Sequence, residues 1–242
     1  MARIEVLHLY KKYKKQEVLN DISFTISSGD VLGIIGENGA GKSTLMGILV
    51  TLIKPSSGDV LYDDQSVISN PSCIRGNIGY VPQDISLYED LSGIDNLKFW
   101  AKTYHLYGDD MRNRIVAIKD VIGLDDAILN KKVKTYSGGM KRRVNIGVAL
   151  LNDPDVIVMD EPTVGIDIAS KDYILNVIKK LKDKGKTVIY TSHYLEEIEE
   201  ICNKICIMNK GNVIDFKNIE DITKNLNNKS FRQYYLDINR NC

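Results

Sequence analysis

The stretch Val31-Leu32-Gly33-Ile34-Ile35-Gly36-Glu37-Asn38-Gly39-Ala40-Gly41-Lys42-Ser43-Thr44 decides the fold. Its first five residues are a short apolar run of the kind a strand buried on both faces needs. The rest matches GxxxxGK[ST], and from Ser43 the chain reads as a helix until Lys54-Pro55 stops it. Strand, glycine-rich loop and helix in that order make a phosphate-binding device. The glycines let the backbone curl so that successive N–H groups face phosphate oxygens, and the helix adds the positive end of its dipole. Lys42 carries the charge that neutralises the β- and γ-phosphates, and Ser43 offers a hydroxyl to Mg²⁺. The candidate phosphate contacts are Gly36, Glu37, Asn38, Gly39, Ala40, Gly41, Lys42, Ser43 and Thr44. By itself the motif implies only a bound nucleoside triphosphate, because many enzyme classes share it.

Further along, Val156-Ile157-Val158-Met159-Asp160-Glu161 is an apolar strand ending in two carboxylates. Ligands of open α/β sheets bind at the carboxyl ends of strands. Alternation sends the two side chains in different directions. Asp160 is thus a candidate for the Mg²⁺ shell and Glu161 for the base that polarises an attacking water. A second anion device follows from Tyr136-Ser137-Gly138-Gly139-Met140-Lys141-Arg142-Arg143. There a hydroxyl cap and two glycines open a helix with an apolar stripe through Met140, Val144, Gly147 or Val148, and Leu151. One triphosphate rarely needs two such devices. Ser137, Gly138 and Gly139 stand far along the chain from Lys42, so the second device is expected to serve the nucleotide of a partner copy.

Around these motifs the chain divides into three zones. Residues 1 to about 81 read as short strands, the glycine-rich turn and one helix. Residues 84–150 change to helical period: Ser92-Gly93-Ile94-Asp95 is a capping start, Ile94, Leu97, Ala101 and Tyr104 follow, and Met111, Ile115, Ile118 and Ile122 form a second stripe. From Val156 strand and helix alternate. Thr187-Val188-Ile189-Tyr190-Thr191 reads as a strand, and Leu195, Ile198 and Ile201 mark a helix. Cys206 to Asp215 reads as a hairpin around Asn209-Lys210-Gly211-Asn212. In the Asn- and Lys-rich tail, Ile219, Ile222 and Leu226 suggest a short helix, and 231–238 a lone strand. No internal repeat is visible.

Composition is that of an ordinary globular chain of 242 residues, 43% hydrophobic and 26% charged, with a formal net charge of zero that argues against a nucleic-acid-coating protein. Of the four cysteines, Cys73, Cys202, Cys206 and Cys242, the Cys202/Cys206 spacing would put two thiols on one helical face. Buried thiols in a reducing compartment are the expected reading. The first ten residues lack an apolar signal region, and no stretch approaches the roughly 18 apolar residues of a spanning helix. A soluble protein is expected, reaching a membrane only through a partner.

The motifs together resemble the ATP-binding cassette family over nearly the whole chain. The Ser137-Gly138-Gly139 segment resembles its signature motif. Gln83, within Tyr80-Val81-Pro82-Gln83-Asp84, is similar to the glutamine that links Mg²⁺ to the helical subdomain. Val164-Gly165-Ile166-Asp167 resembles the D-loop, and His193 the switch histidine near the γ-phosphate. Tyr13 stands where the family stacks an aromatic ring on adenine, with Tyr10 as a competitor. In isolation each has an ordinary structural reading; their joint order carries the resemblance. Tyr136 and Met140 depart from the usual LSGGQ, and the SGGMKRR form resembles the ATPase subunits of ABC-2-type exporters.

The resemblance implies an α/β fold: a P-loop NTPase core with a mixed parallel sheet, an antiparallel β-subdomain and an inserted helical subdomain at about 84–150. A cassette over 1–229 and a tail over 230–242 are expected. ATP and Mg²⁺ are the implied cofactors, with Ser43, Gln83 and Asp160 at the metal and Glu161, His193 and Gln83 in catalysis. The implied partners are a second copy or a homologous cassette, completing each ATP site through Ser137 and Gly139, and an integral membrane permease. The implied location is cytoplasmic, on the inner face of the cell membrane. A GTPase is excluded because Asn209-Lys210-Gly211-Asn212 lacks the final Asp of NKxD. A repair ATPase would carry long coiled-coil insertions and the common ribosomal type tandem cassettes. An assembly scaffold of the iron–sulfur type stays open.

Overall fold

The computed structural model describes residues 3–224 and 230–240. Two strands, β1 (Ile4–Tyr13) and β2 (Gln16–Ile26), form a long hairpin. With β4 (Ser57–Tyr62) and β5 (Gln65–Ser66) they make an antiparallel sheet of order β2-β1-β4-β5. The central sheet contains β3 (Val31–Gly36), β6 (Ile78–Val81), β7 (Val156–Met159), β8 (Thr187–Thr191), β9 (Lys204–Asn209) and β10 (Asn212–Asn218), in the order β10-β9-β3-β8-β7-β6. All neighbours in it are parallel except the β9–β10 hairpin.

Strand alternation splits this sheet's side chains between two cores. Val31, Ile35, Ile157, Met159, Val188, Tyr190, Ile205 and Ile207 face one way. Leu32, Ile34, Val156, Val158, Ile189, Cys206 and Met208 face the other, where α1 (Lys42–Leu49) and the antiparallel sheet cover them. Continuous apolar runs are what a doubly covered parallel sheet requires, which is why these strands show no polar alternation.

Between β6 and β7 lie α3 (Gly93–Thr103), α4 (Gly108–Ile122), α5 (Asp126–Leu129), a 3-10 turn at Val133–Thr135 and α6 (Gly138–Ala149). Ser92 caps α3, its Oγ accepting the Asp95 N–H at 3.1 Å. Ile115, Ile118 and Ile122 bury the inner face of α4. After β7 come α7 (Ile168–Asp183) and α8 (Leu195–Ile201).

Several details differ from the sequence reading. The helix after the glycine loop ends at Leu49 rather than Lys54, since Thr51 turns into a left-handed φ of 60°. The N-terminal zone holds a second short helix, α2 (Ser72–Arg75), and its hairpin strands are long. Cys202 and Cys206 do not share a helical face. The helix ends at Ile201, Cys206 belongs to β9, and the two buried thiols lie in different cores. Beyond α9 (Ile219–Lys224), the segment expected as a lone strand is the helix α10 (Phe231–Arg240). Phe231, Tyr234, Tyr235 and Ile238 recur at helical spacing and pack on the larger core. Leu226 and Cys242 lie outside the described residues.

Candidate nucleotide site

The loop after β3 bends through Gly39 and Gly41, at φ 83° and 100°, and α1 starts at Lys42. Position 41 admits only glycine: its φ is left-handed, and a Cβ would come 2.8 Å from the Val18 carbonyl and 2.7 Å from the Leu19 side chain. The first turn of α1 has no acidic residue, so its N–H groups and dipole are open to an anion. The Lys42 ammonium curls back into the loop and donates to the carbonyls of Gly36 at 2.8 Å and Glu37 at 3.2 Å. Burial pushes the lysine below its ordinary pKa, and the negative charges of Glu161 and Asp160 oppose that. A triphosphate arriving here would supply a stronger partner than two carbonyls.

Opposite the loop, the ends of β6, β7 and β8 lie side by side, with Val81 paired to Met159 and Met159 to Tyr190. Parallel register therefore brings the residues that follow these strands into one place. Asp160 and Glu161 are both buried. Thr191 Oγ1 donates to Asp160 Oδ1 at 2.7 Å and accepts the Glu161 N–H at 2.8 Å. Glu161 has φ 47°, a left-handed backbone that a side chain rarely adopts. Its Oε1 lies 2.6 Å from His193 Nε2, and its Oε2 accepts from Gln83 Nε2 at 3.2 Å. Three segments distant in sequence thus meet at one carboxylate.

Asn38, Gly39, Gly41, Lys42, Ser43, Thr44, Gln83, Glu161, Val164 and His193 line one cleft of ≈ 500 Å³, together with Gln16 and Val18 from the β1–β2 hairpin. Gly36 and Glu37 line a neighbouring recess that also touches His193. Ala40 and Asp160 are buried and do not line the cleft. Tyr13 stands at the hairpin tip, 45% exposed, with the Lys11 ammonium 4.7 Å from its ring centre. Neither Tyr13 nor Tyr10 lines the cleft.

Ser137, Gly138 and Gly139 are also absent from it. They form the N-terminus of α6, where Ser137 Oγ accepts the Met140 N–H at 3.2 Å. Gly139 is required by close packing: a Cβ would fall 1.9 Å from Ser170 Oγ. Ser170 in turn is held by Asp167, which caps α7 by accepting its N–H at 2.9 Å and its hydroxyl at 2.7 Å. Those bonds hold the Asp167 carboxyl below the usual range.

Both departures from LSGGQ are accommodated by packing. Tyr136 is buried and its hydroxyl donates to the Ile128 carbonyl at 2.8 Å, in space left by Gly93. Met140 is half-buried and packs on the larger core. Two participants were missed in the sequence. Thr191 reads locally as the end of a strand, although a hydroxyl in an apolar run needs a partner. Arg142 reads locally as no more than part of the signature variant. It is buried, and its Nη1 and Nη2 donate to the carbonyls of Pro82 at 2.7 Å and Gln83 at 2.6 Å, tying α6 to the glutamine loop.

Mg²⁺ fits the donors present. Ser43 and Gln83, which line the cleft, and the buried Asp160 carry hard oxygen donors. No cluster of three or more His, Cys, Asp or Glu suited to a metal occurs among the described residues. Three such oxygen donors leave room for the waters and substrate phosphates that Mg²⁺ usually keeps.

A parallel sheet with a glycine loop running into a helix after β3, and a carboxylate pair ending β7 on the far side of β8, defines a P-loop nucleoside triphosphatase. Residues 19–164 match the family described as ABC transporter. The linearmycin resistance ATP-binding protein LnrL of Bacillus subtilis (strain 168) is 39% identical over 223 residues, which cover 92% of this chain and 71% of that protein. A Nod factor export ATP-binding protein I, from Cupriavidus pinatubonensis (strain JMP 134 / LMG 1197), is 34% identical over 213 residues, 88% of this chain and 65% of that one. The structure of an ATP binding subunit of an ABC transporter superposes with TM-score 0.86 at 28% identity, over 98% of this chain and 99% of that one. The dimeric, post-hydrolysis cassette MJ0796 bound to ADP and Pi gives 0.81 at 27%, over 89% and 98%. The chain belongs to the ABC transporter family, as an ATP-binding subunit that hydrolyses ATP to ADP and phosphate. None of its described helices is long and apolar enough to cross a membrane.

Proposed function

We propose that the chain is the cytoplasmic motor of an ABC exporter, working as a head-to-tail pair of cassettes with ATP between them and a permease in the membrane. The cassette spans 1–229, with its helical subdomain at about 84–150. One observation carries the pairing: Lys42, Ser43, Gln83, Glu161 and His193 share a cleft, and the second open helix end, at Ser137, does not line it. A second copy turned head to tail supplies Ser137 and Gly139 to that cleft. Export is supported by the SGGMKRR signature and by relatives named for linearmycin resistance and Nod factor export.

In this reading the loop N–H groups and Lys42 bind the β- and γ-phosphates. Ser43, Gln83 and Asp160 would hold Mg²⁺, which would neutralise phosphate charge. Glu161 takes the proton of the attacking water. His193 Nε2 orients that carboxylate, and Thr191 keeps Asp160 and the Glu161 backbone in register. Catalysis is positioning plus charge stabilisation. ATP joins two cassettes, hydrolysis releases them, and the population shift drives the permease.

Mixing two inactive variants tests the shared site. Lys42→Ala and Ser137→Arg chains should each be inactive alone and regain part of the wild-type ATPase rate when mixed, because one mixed site keeps both halves. No recovery in a mixture shown to form mixed dimers would overturn the pairing.

A further inference from the structure

Glu197, on the first turn of α8, is 1% exposed and lies outside the nucleotide cleft. Three hydroxyls converge on its Oε2: Thr163 Oγ1 at 2.9 Å, Tyr190 at 2.5 Å and Ser192 Oγ at 2.6 Å. Lys171 Nζ, 2.9 Å from Oε1, adds an ion pair rather than a well-angled hydrogen bond. Oε2 is fully engaged and Oε1 is balanced by one cation, so removing the charge would cost three hydroxyls their shared acceptor and Lys171 its ion pair.

The donors come from segments that matter to the site. Thr163 follows Glu161 by two residues and begins the 163–167 segment, which leads to Asp167 and to Ile168, 78% exposed. Ser192 precedes His193, and its Oγ also accepts the Tyr194 N–H at 3.0 Å, which closes a turn around the histidine. Lys171 stands one residue past Ser170, against which Gly139 packs, and its ammonium lies 4.7 Å from the Tyr194 ring centre. The Glu197 carboxylate contacts Thr163, Ser192 and Lys171 alike.

We propose that Glu197 is a positioning residue that locks the 163–167 segment to the loop carrying His193, so that displacement of either is passed to the other. A partner cassette pressing on the exposed 165–168 turn would thereby set the imidazole against Glu161. Hydrolysis then depends on pairing through a hydrogen-bonded hub outside the nucleotide cleft. This rests on the roles assigned above to His193 and Glu161.

Glu197→Gln keeps the shape and removes the charge. Expected are a kcat lowered about tenfold or more, ATP affinity of the single chain within about threefold, and a largely retained melting temperature. Thr163→Ser, which keeps the hydroxyl, should retain turnover, and the isosteric Thr163→Val should lose it. In a His193→Ala background, Glu197→Gln should slow hydrolysis no further, whereas a general loss of packing would multiply the two defects. If Glu197→Gln does not fold, the Thr163 pair decides. A folded Glu197→Gln chain with wild-type kcat, or full multiplication with His193→Ala, would overturn the hub alone. Wild-type turnover in His193→Ala would overturn the underlying reading, and the hub with it.

Discussion

Glu161 combines a left-handed backbone with three side-chain and backbone partners, and its chemistry follows from that placement. A side chain at positive φ costs roughly 1–2 kcal/mol, and such strain persists only where surrounding bonds enforce it. Here the Thr191 hydroxyl fixes the peptide and His193 and Gln83 hold the two oxygens. Glu161→Gln should still bind MgATP, because the phosphate loop and Asp160 are untouched. Its hydrolysis rate should fall by ~10²–10⁴, the usual effect of losing a general base. Size-exclusion chromatography with MgATP should then show a persistent dimer, against a wild type that returns to monomer as ATP is consumed. Wild-type hydrolysis in this variant would make the carboxylate a bystander. The acidic pair was legible in the sequence because an apolar strand ending in two carboxylates is a local pattern. Its contacts were not, because Gln83 and His193 arrive through strand register.

At the scale of elements, α6 and α3 show how a signature variant is built into the fold. Tyr136 is larger than the usual leucine and fits because residue 93, in the first turn of α3, has no Cβ. An added Cβ there would come 2.4 Å from the Tyr136 hydroxyl oxygen. Alanine normally favours a helix over glycine. Gly93→Ala should nevertheless destabilise the protein, by about 1–3 kcal/mol, because it overpacks this contact and breaks the Tyr136 bond to Ile128. Adding Tyr136→Leu should recover part of the loss. Chemical denaturation of the two single variants and the double variant measures both effects; a neutral Gly93→Ala would show that α3 shifts freely. The helical zone itself was legible from its 3.6-residue stripes and the Ser92 cap. The Arg142 link to Pro82 and Gln83 was not, because a basic residue in a polar run looks the same whether solvated or buried.

Across the whole molecule, the larger core extends from the helices after β6 to the last described helix. Phe231 is 1% exposed within it, beside Ile219 and Ile222 of α9. Removing a buried phenylalanine costs about 3–5 kcal/mol. The loss should appear first as local undocking, since α10 is held mainly by this stripe. Phe231→Ala should raise amide exchange over residues 231–239 about a hundredfold, with a smaller shift of the global unfolding midpoint. Unchanged exchange there would mean that Tyr234, Tyr235 and Ile238 suffice.

The chain's own order of residues determined the phosphate loop, the carboxylate pair, the helical zone and the alternation after it, because each rests on short-range periodicity, glycine geometry or capping. Residues 231–238 read locally as a lone strand, and it is docking on the larger core that makes them a helix, with Phe231, Tyr234, Tyr235 and Ile238 turned inward. Tertiary structure alone decided which strands became neighbours, and with them which side chains met. The convergence on Glu161, the three hydroxyls on Glu197 and the packing of Gly139 against Ser170 all cross between segments far apart in sequence. Sheet order is settled by burying two apolar faces at once, a balance summed over the whole molecule that no local stretch encodes.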